Sequence, residues 1–382
     1  MSDEFGTDGD ADGAKRKTSC CRVCRRTLLA GAGGAVTGAL AGCLSDTDDD
    51  IPDDADEDFP DWDPESPEFP QRMSTLMDYD NGSVEDIEAF EERDEPVYGD
   101  PVRSPPTDDS EIIDPDTLLF AMTPTEDPAQ YEGVFDPIME NIEEETGRDV
   151  ETNMVESYAA QVEAMRSEQL HIGGFSTGPL PFAVNLAGAV PFGIQVSEDD
   201  AGYFLWAITH MNNTDIDSVE DFAGRDGAHG DQSSNSGNLM PRAMFDDQFG
   251  VEPGEDYDVE HIGSHENLVL SIYNQDHEVA PVCSYCVTRV ADRGDVDPEH
   301  IKVVWQSEPI VTTGFSYLYN LPSDVQEGIE RAFLEYDYSD TELAEEFDGR
   351  GQFTEIDYAT HWHDIIVTHE ANGVDLTDPS DI

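Results

Sequence analysis

Lysine is almost missing from this chain. Of 382 residues only Lys15, Lys17 and Lys302 carry an ammonium side chain, and all Lys and Arg together number 18 against 87 Asp and Glu. A formal net charge of -69 excludes nucleic acid as a partner, because a polyphosphate backbone would be repelled. No apolar run reaches the roughly 20 residues that a membrane-spanning helix needs. Also absent are H-E-x-x-H and P-loop patterns, the chain is not read as an enzyme, and in so acidic a chain a pair of carboxylates carries no information. No internal repeat is evident. What remains, 37% hydrophobic residues over 382 positions, is enough for a large core divided between about two domains.

The acids are scattered along the whole length rather than gathered in one block, which fits adaptation to molar salt better than an acidic function. Self-repulsion is tolerable where the Debye length shrinks to about 3 Å at 1 M salt. The same screening frees an anionic ligand from long-range repulsion, so that only groups touching it decide binding.

The amino terminus has the parts of an export signal: basic residues ending in Arg25-Arg26, a short apolar stretch from Thr27 to Leu40, and Leu40-Ala41-Gly42-Cys43. The paired arginines resemble a twin-arginine signal. The last four residues resemble a lipobox, in which the thiol of Cys43 carries lipid and becomes the first mature residue. Residues 1–42 are then a signal peptide, and Cys20, Cys21 and Cys24 leave with it. Residues 43–110 are expected to form an acidic tether and a loosely structured extension, since Asp, Glu and Pro dominate its first part and Pro96, Pro101, Pro105 and Pro106 punctuate the rest.

From Thr117 onward strand-like runs such as Leu118–Met122 alternate with amphipathic helical segments, which argues for an α/β fold. Strands are expected at 171–173, 203–208, 258–262, 278–282 and 301–305. Helices are expected at 131–146, 158–169, 235–249, 266–274, 285–293 and 324–336, the last opened by a capping box from Ser323 and Gln326.

Asp231-Gln232-Ser233-Ser234-Asn235-Ser236-Gly237 is a serine-rich turn opening a helix, and Gly263-Ser264-His265-Glu266-Asn267 opens another. Free backbone N–H groups, hydroxyls and the helix dipole converge at such a place and can desolvate a tetrahedral oxyanion without Lys or Arg. The bland alternatives are ordinary N-capping for Ser234 and Ser236, and a capping or surface role for His265.

Those two segments, together with Leu119–Pro128 and Ser157–Arg166, resemble in order the periplasmic phosphonate- and phosphate-binding proteins of ABC importers, over roughly Thr117 to Asp337. The resemblance implies a two-lobed α/β periplasmic-binding-protein fold (type II), each lobe a mixed sheet flanked by helices. It implies lobe 1 from 111–208 and 314–382, lobe 2 from 209–313, and crossings near Tyr203–His210 and Val304–Tyr317. A small phosphorus oxyanion would sit in the interlobe cleft against Tyr158, Tyr203, Ser234, Asn235, Ser236, His265, Tyr285 and Thr313. An ABC permease and ATPase would be the partners, no cofactor is implied, and the place is the outer face of the cell membrane through the lipid on Cys43. An organosulfonate or another anion as ligand, or an occupancy sensor on the same fold, stays open.

Three departures bear on the ligand. Tyr285 and Thr313 stand where amine-binding members of that family carry acids, Phe175-Ser176-Thr177-Gly178-Pro179 differs from the family's shorter W-x-G loop, and Asn235 replaces a Thr of the serine motif. Cys283-Ser284-Tyr285-Cys286 is a C-x-x-C placed to form a disulfide outside the cytoplasm. His361, His363 and His369 are read as unliganded, with no metal site.

Overall fold

The computed structural model describes residues 59–382 apart from 65, 78–82, 127, 198–199 and 348. The signal peptide, Cys43 and the first part of the tether lie outside the described residues.

Two six-stranded mixed sheets organise the chain. In lobe 1 the strands run, edge to edge, Gln352–Glu355, Ala189–Val196, Gly314–Leu318, Ile172–Phe175, Thr117–Ala121 and Asp149–Thr152. The last three are parallel, whereas Gly314–Leu318 enters antiparallel with Gly314 opposite Phe175 and Ile194. Every residue of Ile172–Phe175 is buried, as a strand covered by helices on both faces requires. Helix Asp136–Thr146 presents fully buried Ile138 and Ile142, and Gly147 ends it in the left-handed region at φ 67°, its N–H bonded to Glu143 O.

Lobe 2 repeats the plan with Gln71–Arg72, Ile301–Gln306, Leu205–His210, Val279–Cys283, Asp226–His229 and Asp258–His261. The chain passes between the lobes at 197–204 and 307–313, where Gly202–Tyr203 pairs antiparallel with Ile310–Val311. The expected boundary at 208 therefore falls inside a strand. All six residues of Leu205–His210 are buried, and they pair with Val279–Cys283 and Ile301–Gln306, so the whole strand belongs to lobe 2.

The extension before the main fold is better ordered than its composition suggests. Gln71–Arg72 adds an edge strand to lobe 2, opposite Val303 and Lys302, and Met73 and Leu76 bury beneath it. Farther on, the chain docks on lobe 1: Arg93 N–H donates to Thr360 Oγ1 at 3.0 Å, and Asp100 N–H to Asn185 Oδ1 at 2.6 Å. A few apolar anchors and saturated backbone groups outweigh the local proline content. The expected capping box is also corrected. Helix Ser323–Leu334 starts after Pro322 without a side-chain cap, because Gln326 Nε2 instead donates to the carbonyls of Tyr319 and Leu321, both at 2.9 Å. Among the described residues no helix is long and apolar enough to cross a membrane.

Two of the scarce cations lie fully inside. Lys302 is fully buried, its Nζ donating to Asn213 O at 3.1 Å and pairing with Asp217 Oδ1 at 2.8 Å. Arg350, also fully buried, pairs with Asp200 at 2.6 Å and donates to Gly202 O at 2.7 Å, which fastens lobe 1 to the first crossing segment. Breaking a buried pair strands the remaining charge at a cost of about 3–5 kcal/mol. Arg350→Met is accordingly expected to lower the unfolding free energy by about that much, read from chemical denaturation at constant molar salt; a midpoint equal to that of the unaltered protein would contradict the assignment.

Candidate ligand-binding cleft

Four helices begin at the cleft, and each delivers a predicted residue from its first turn. Ser157 caps Tyr158–Arg166 by accepting from Ala160 N–H at 3.2 Å. Ser264 caps His265–Tyr273 through Asn267 N–H, and Cys283 Sγ caps Ser284–Asp292 through Cys286 N–H, both at 3.2 Å. Ser234 opens a wider π turn, Asn235–Leu239, that runs into helix Met240–Phe249. The positive ends of these helices therefore face one region.

The serine turn is braced from behind. Asp231 Oδ1 accepts from the N–H and hydroxyl of Ser233, at 3.0 and 2.9 Å. Asn238 Nδ2 donates to Gln232 O at 2.7 Å, and its Oδ1 lies 3.0 Å from His229 Nδ1, whose other ring nitrogen meets Tyr257 Oη at 2.7 Å. Burial pushes the His229 pKa down to about 3, so this ring is a neutral structural strut.

At the front, Ser234 Oγ accepts from Gly237 N–H and stands 3.2 Å from His265 Nε2. Ser234 thus caps the turn and at the same time bonds to the His265 ring. His265 Nδ1 accepts from Cys283 N–H at 3.1 Å, which leaves the proton of the neutral ring on Nε2 as a donor. Burial lowers the His265 pKa to about 4, against the opposing pull of Glu126. Burial likewise raises Tyr158 and Tyr203, so both hydroxyls remain protonated. The Tyr158 hydroxyl lies within reach of Ser176 and Ser234, and Tyr203 Oη is 2.7 Å from Thr177 Oγ1 and 3.4 Å from Asn235 Nδ2.

Between the lobes lies a small pocket of ≈ 30 Å³, more than the roughly 10–15 Å³ one water needs and too little for a large solute. Tyr203, Ser236, His265, Tyr285 and Thr313 line it. Of the other expected residues, Ser234 and Asn235 are buried in the turn behind it, and Tyr158 faces a second cavity of ≈ 510 Å³ toward the cleft mouth. Sequence reading missed Ser176, Thr177, Thr312, Arg289, Phe347 and the cysteine pair as lining groups. Only the C-x-x-C was a visible signal: Cys283 and Cys286 are disulfide-bonded. His369 is held between the carbonyls of Ile365 and Gly178, at 2.8 and 2.9 Å. Gly178 itself abuts the serine turn so closely that a β-carbon there would lie 2.0 Å from Ser233 O and 2.7 Å from Asn235 N.

Comparisons with known proteins agree with this architecture. The family described as ABC transporter, phosphonate, periplasmic substrate-binding protein matches residues 120–362. The phosphate-import protein PhnD of Mycolicibacterium smegmatis is 27% identical over 233 residues, 58% of this chain and 72% of that protein. Among solved structures, PhnD1 of Prochlorococcus marinus in complex with methylphosphonate superposes with a TM-score of 0.60 at 14% identity, covering 68% of this chain and 98% of its own. A binding component of an ABC phosphonate transporter from Pseudomonas aeruginosa gives 0.58 at 21% identity, covering 64% and 83%. At these identities the structures speak for the two-lobed fold alone, while the family match extends over more than half of the chain. The chain belongs to the phosphonate-binding family of periplasmic substrate-binding proteins of ABC transporters.

Proposed function

We propose that this substrate-binding subunit captures a small phosphorus oxyanion without an amino group, such as phosphate, phosphite or methylphosphonate, and delivers it to its permease and ATPase from the outer face of the membrane. The observation that carries the proposal is the meeting of Ser236, the His265 ring and Tyr203 around a small pocket of ≈ 30 Å³, with Ser234 Oγ 3.2 Å from His265 Nε2. These are neutral donors, Ser236 and His265 at helix N-termini and Tyr203 on a crossing strand, suited to a compact tetrahedral anion. The names of the relatives, a phosphate importer and a methylphosphonate complex, support the same class.

A sulfonate is the competing ligand, since helix N-termini do not choose phosphorus over sulfur. The relatives' names, a phosphate-import protein and a methylphosphonate complex, favour phosphorus.

Attachment through lipid on Cys43 is also proposed, on the strength of Leu40-Ala41-Gly42-Cys43 behind Arg25-Arg26. Mass spectrometry of the protein from its native membrane is expected to find a mature chain starting at a lipid-bearing Cys43; an unmodified chain starting elsewhere would refute the anchor.

Ser234→Ala and His265→Ala each remove a donor to a charged ligand, a loss of roughly 1.5–3 kcal/mol, or tenfold to a hundredfold in Kd. Calorimetry with inorganic phosphate and methylphosphonate at molar salt measures this directly, and unchanged affinity in both variants would take these residues out of the site.

Selectivity supplies another test. Tyr285 and Thr313 line the pocket and offer no carboxylate to an ammonium group, which would lose its hydration without return. Phosphate, phosphite or methylphosphonate is expected to bind at least about tenfold tighter than 2-aminoethylphosphonate, or about 1.4 kcal/mol. Competition calorimetry placing the aminated ligand first would overturn the assignment of this wall.

A further inference from the structure

Closure buries an ion cluster that is not among the expected ligand groups. Glu126, on the loop that follows strand Thr117–Ala121 of lobe 1, has a fully buried side chain. It accepts from two guanidiniums of lobe 2. Arg289 donates through Nε at 2.9 Å and through Nη2 to the same oxygen, and Arg293 Nη1 donates to Oε2 at 2.6 Å. Arg289 belongs to helix Ser284–Asp292, which Arg293 terminates.

The cluster stands between two cavities. Arg289 lines the small pocket, whereas Glu126 lines the cavity of ≈ 510 Å³ at the mouth, with Ser157 and Tyr158 of lobe 1 and Asp231 and Glu266 of lobe 2. Lobe 1 covers the Arg289 guanidinium with Phe347, 4.8 Å from its ring centre, and the Tyr285 ring lies against it at 4.4 Å. Arg293 also faces Glu266, Asp295 and Glu346, at 3.6, 3.4 and 3.9 Å. Glu126 has no comparable second role on its own lobe: both of its oxygens are taken by the opposite lobe.

Such a pair exists only when the lobes meet. With the cleft open, water solvates the carboxylate and both guanidiniums. In the closed state the surroundings are dry, the attraction is strong, and salt screens it little. In a chain with this excess of carboxylates, most surface charge pairs would be weak at molar salt, but this one would not be. Its removal should therefore act on the step that reopens the cleft, since truncating a buried charge pair is felt mainly in the dissociation rate.

We propose that Glu126, Arg289 and Arg293 form an interlobe latch that holds the cleft shut and sets the rate of ligand release. The latch rests on the assignment of this cleft as the ligand site. It makes no claim on the ligand's identity.

The test is stopped-flow tryptophan fluorescence on the full folded domain at molar salt. Glu126→Gln keeps the side chain's size and removes its charge. It is expected to raise the dissociation rate of inorganic phosphate or methylphosphonate at least tenfold, with the association rate changed less than about twofold. Arg293→Gln, which leaves the Arg289 contact in place and alters a side chain only partly buried, is expected to give a smaller rise in the same direction. If Glu126→Gln fails to fold, Arg293→Gln carries the decision. A folded variant whose release rate equals that of the unaltered protein, or one that loses affinity entirely through slower association, would overturn the latch. Methanesulfonate is run as a parallel probe. Were it the anion that binds, the phosphorus assignment would fall, and the same rate comparison made with it would still judge the latch.

Discussion

The shortage of cations is the constraint on which the rest of this structure depends. An anion-binding protein with 18 basic residues among 382 has few charges with which to meet its ligand. Three of those in the folded part lie in the interior: Lys302 and Arg350 are fully buried, and Arg289 is 4% exposed. They tie strands, crossing segments and lobes together. In the proposed site the helix-start donors are neutral, and burial strengthens them because it concentrates a dipole that water would dilute.

Geometry follows from that choice. A neutral donor is useful only where it has no competing partner, and the first turn of a helix is where the backbone supplies such donors. Tyr158, Asn235, Ser236, His265 and Tyr285 all occupy first turns, each behind a cap that fixes the direction of the turn. The two lobes contribute on unequal terms. Lobe 2 brings the serine turn, His265 and the disulfide, all braced by buried polar groups such as His229 and Asn238. Lobe 1 brings aromatic and hydroxyl surfaces that close over them, including Thr177, Phe347 and the glycine at 178.

What could be read in advance follows the same division between local and distant causes. Helix starts were legible because capping is a matter of three or four neighbouring residues: Ser157, Ser234 and Ser264 announce themselves. Strands Ala189–Val196 and Gly314–Leu318 were not, because Pro191, Gly193 and Gly314 interrupt the pattern, and only tertiary pairing makes them strands. Gln326 looked like a capping residue yet bonds to the carbonyls of the preceding loop, a partner its spacing does not encode. Arg289 and Phe347 reach the pocket from segments 58 positions apart, and nothing in either neighbourhood marks them as lining groups. The order found in residues 71–76 was hidden by the acidic, proline-rich composition around it, since a two-residue edge strand leaves no periodic trace.

Lys302 has a practical corollary. It is the one lysine among the described residues, and it is sealed inside lobe 2 between Asn213 and Asp217. Amine-directed reagents, whether dyes, cross-linkers or activated surfaces, find no side chain to modify on the described part of the folded protein. Acylation of Lys302 becomes a clock for unfolding: each modified molecule records that its lobe 2 sheet has come apart at least once.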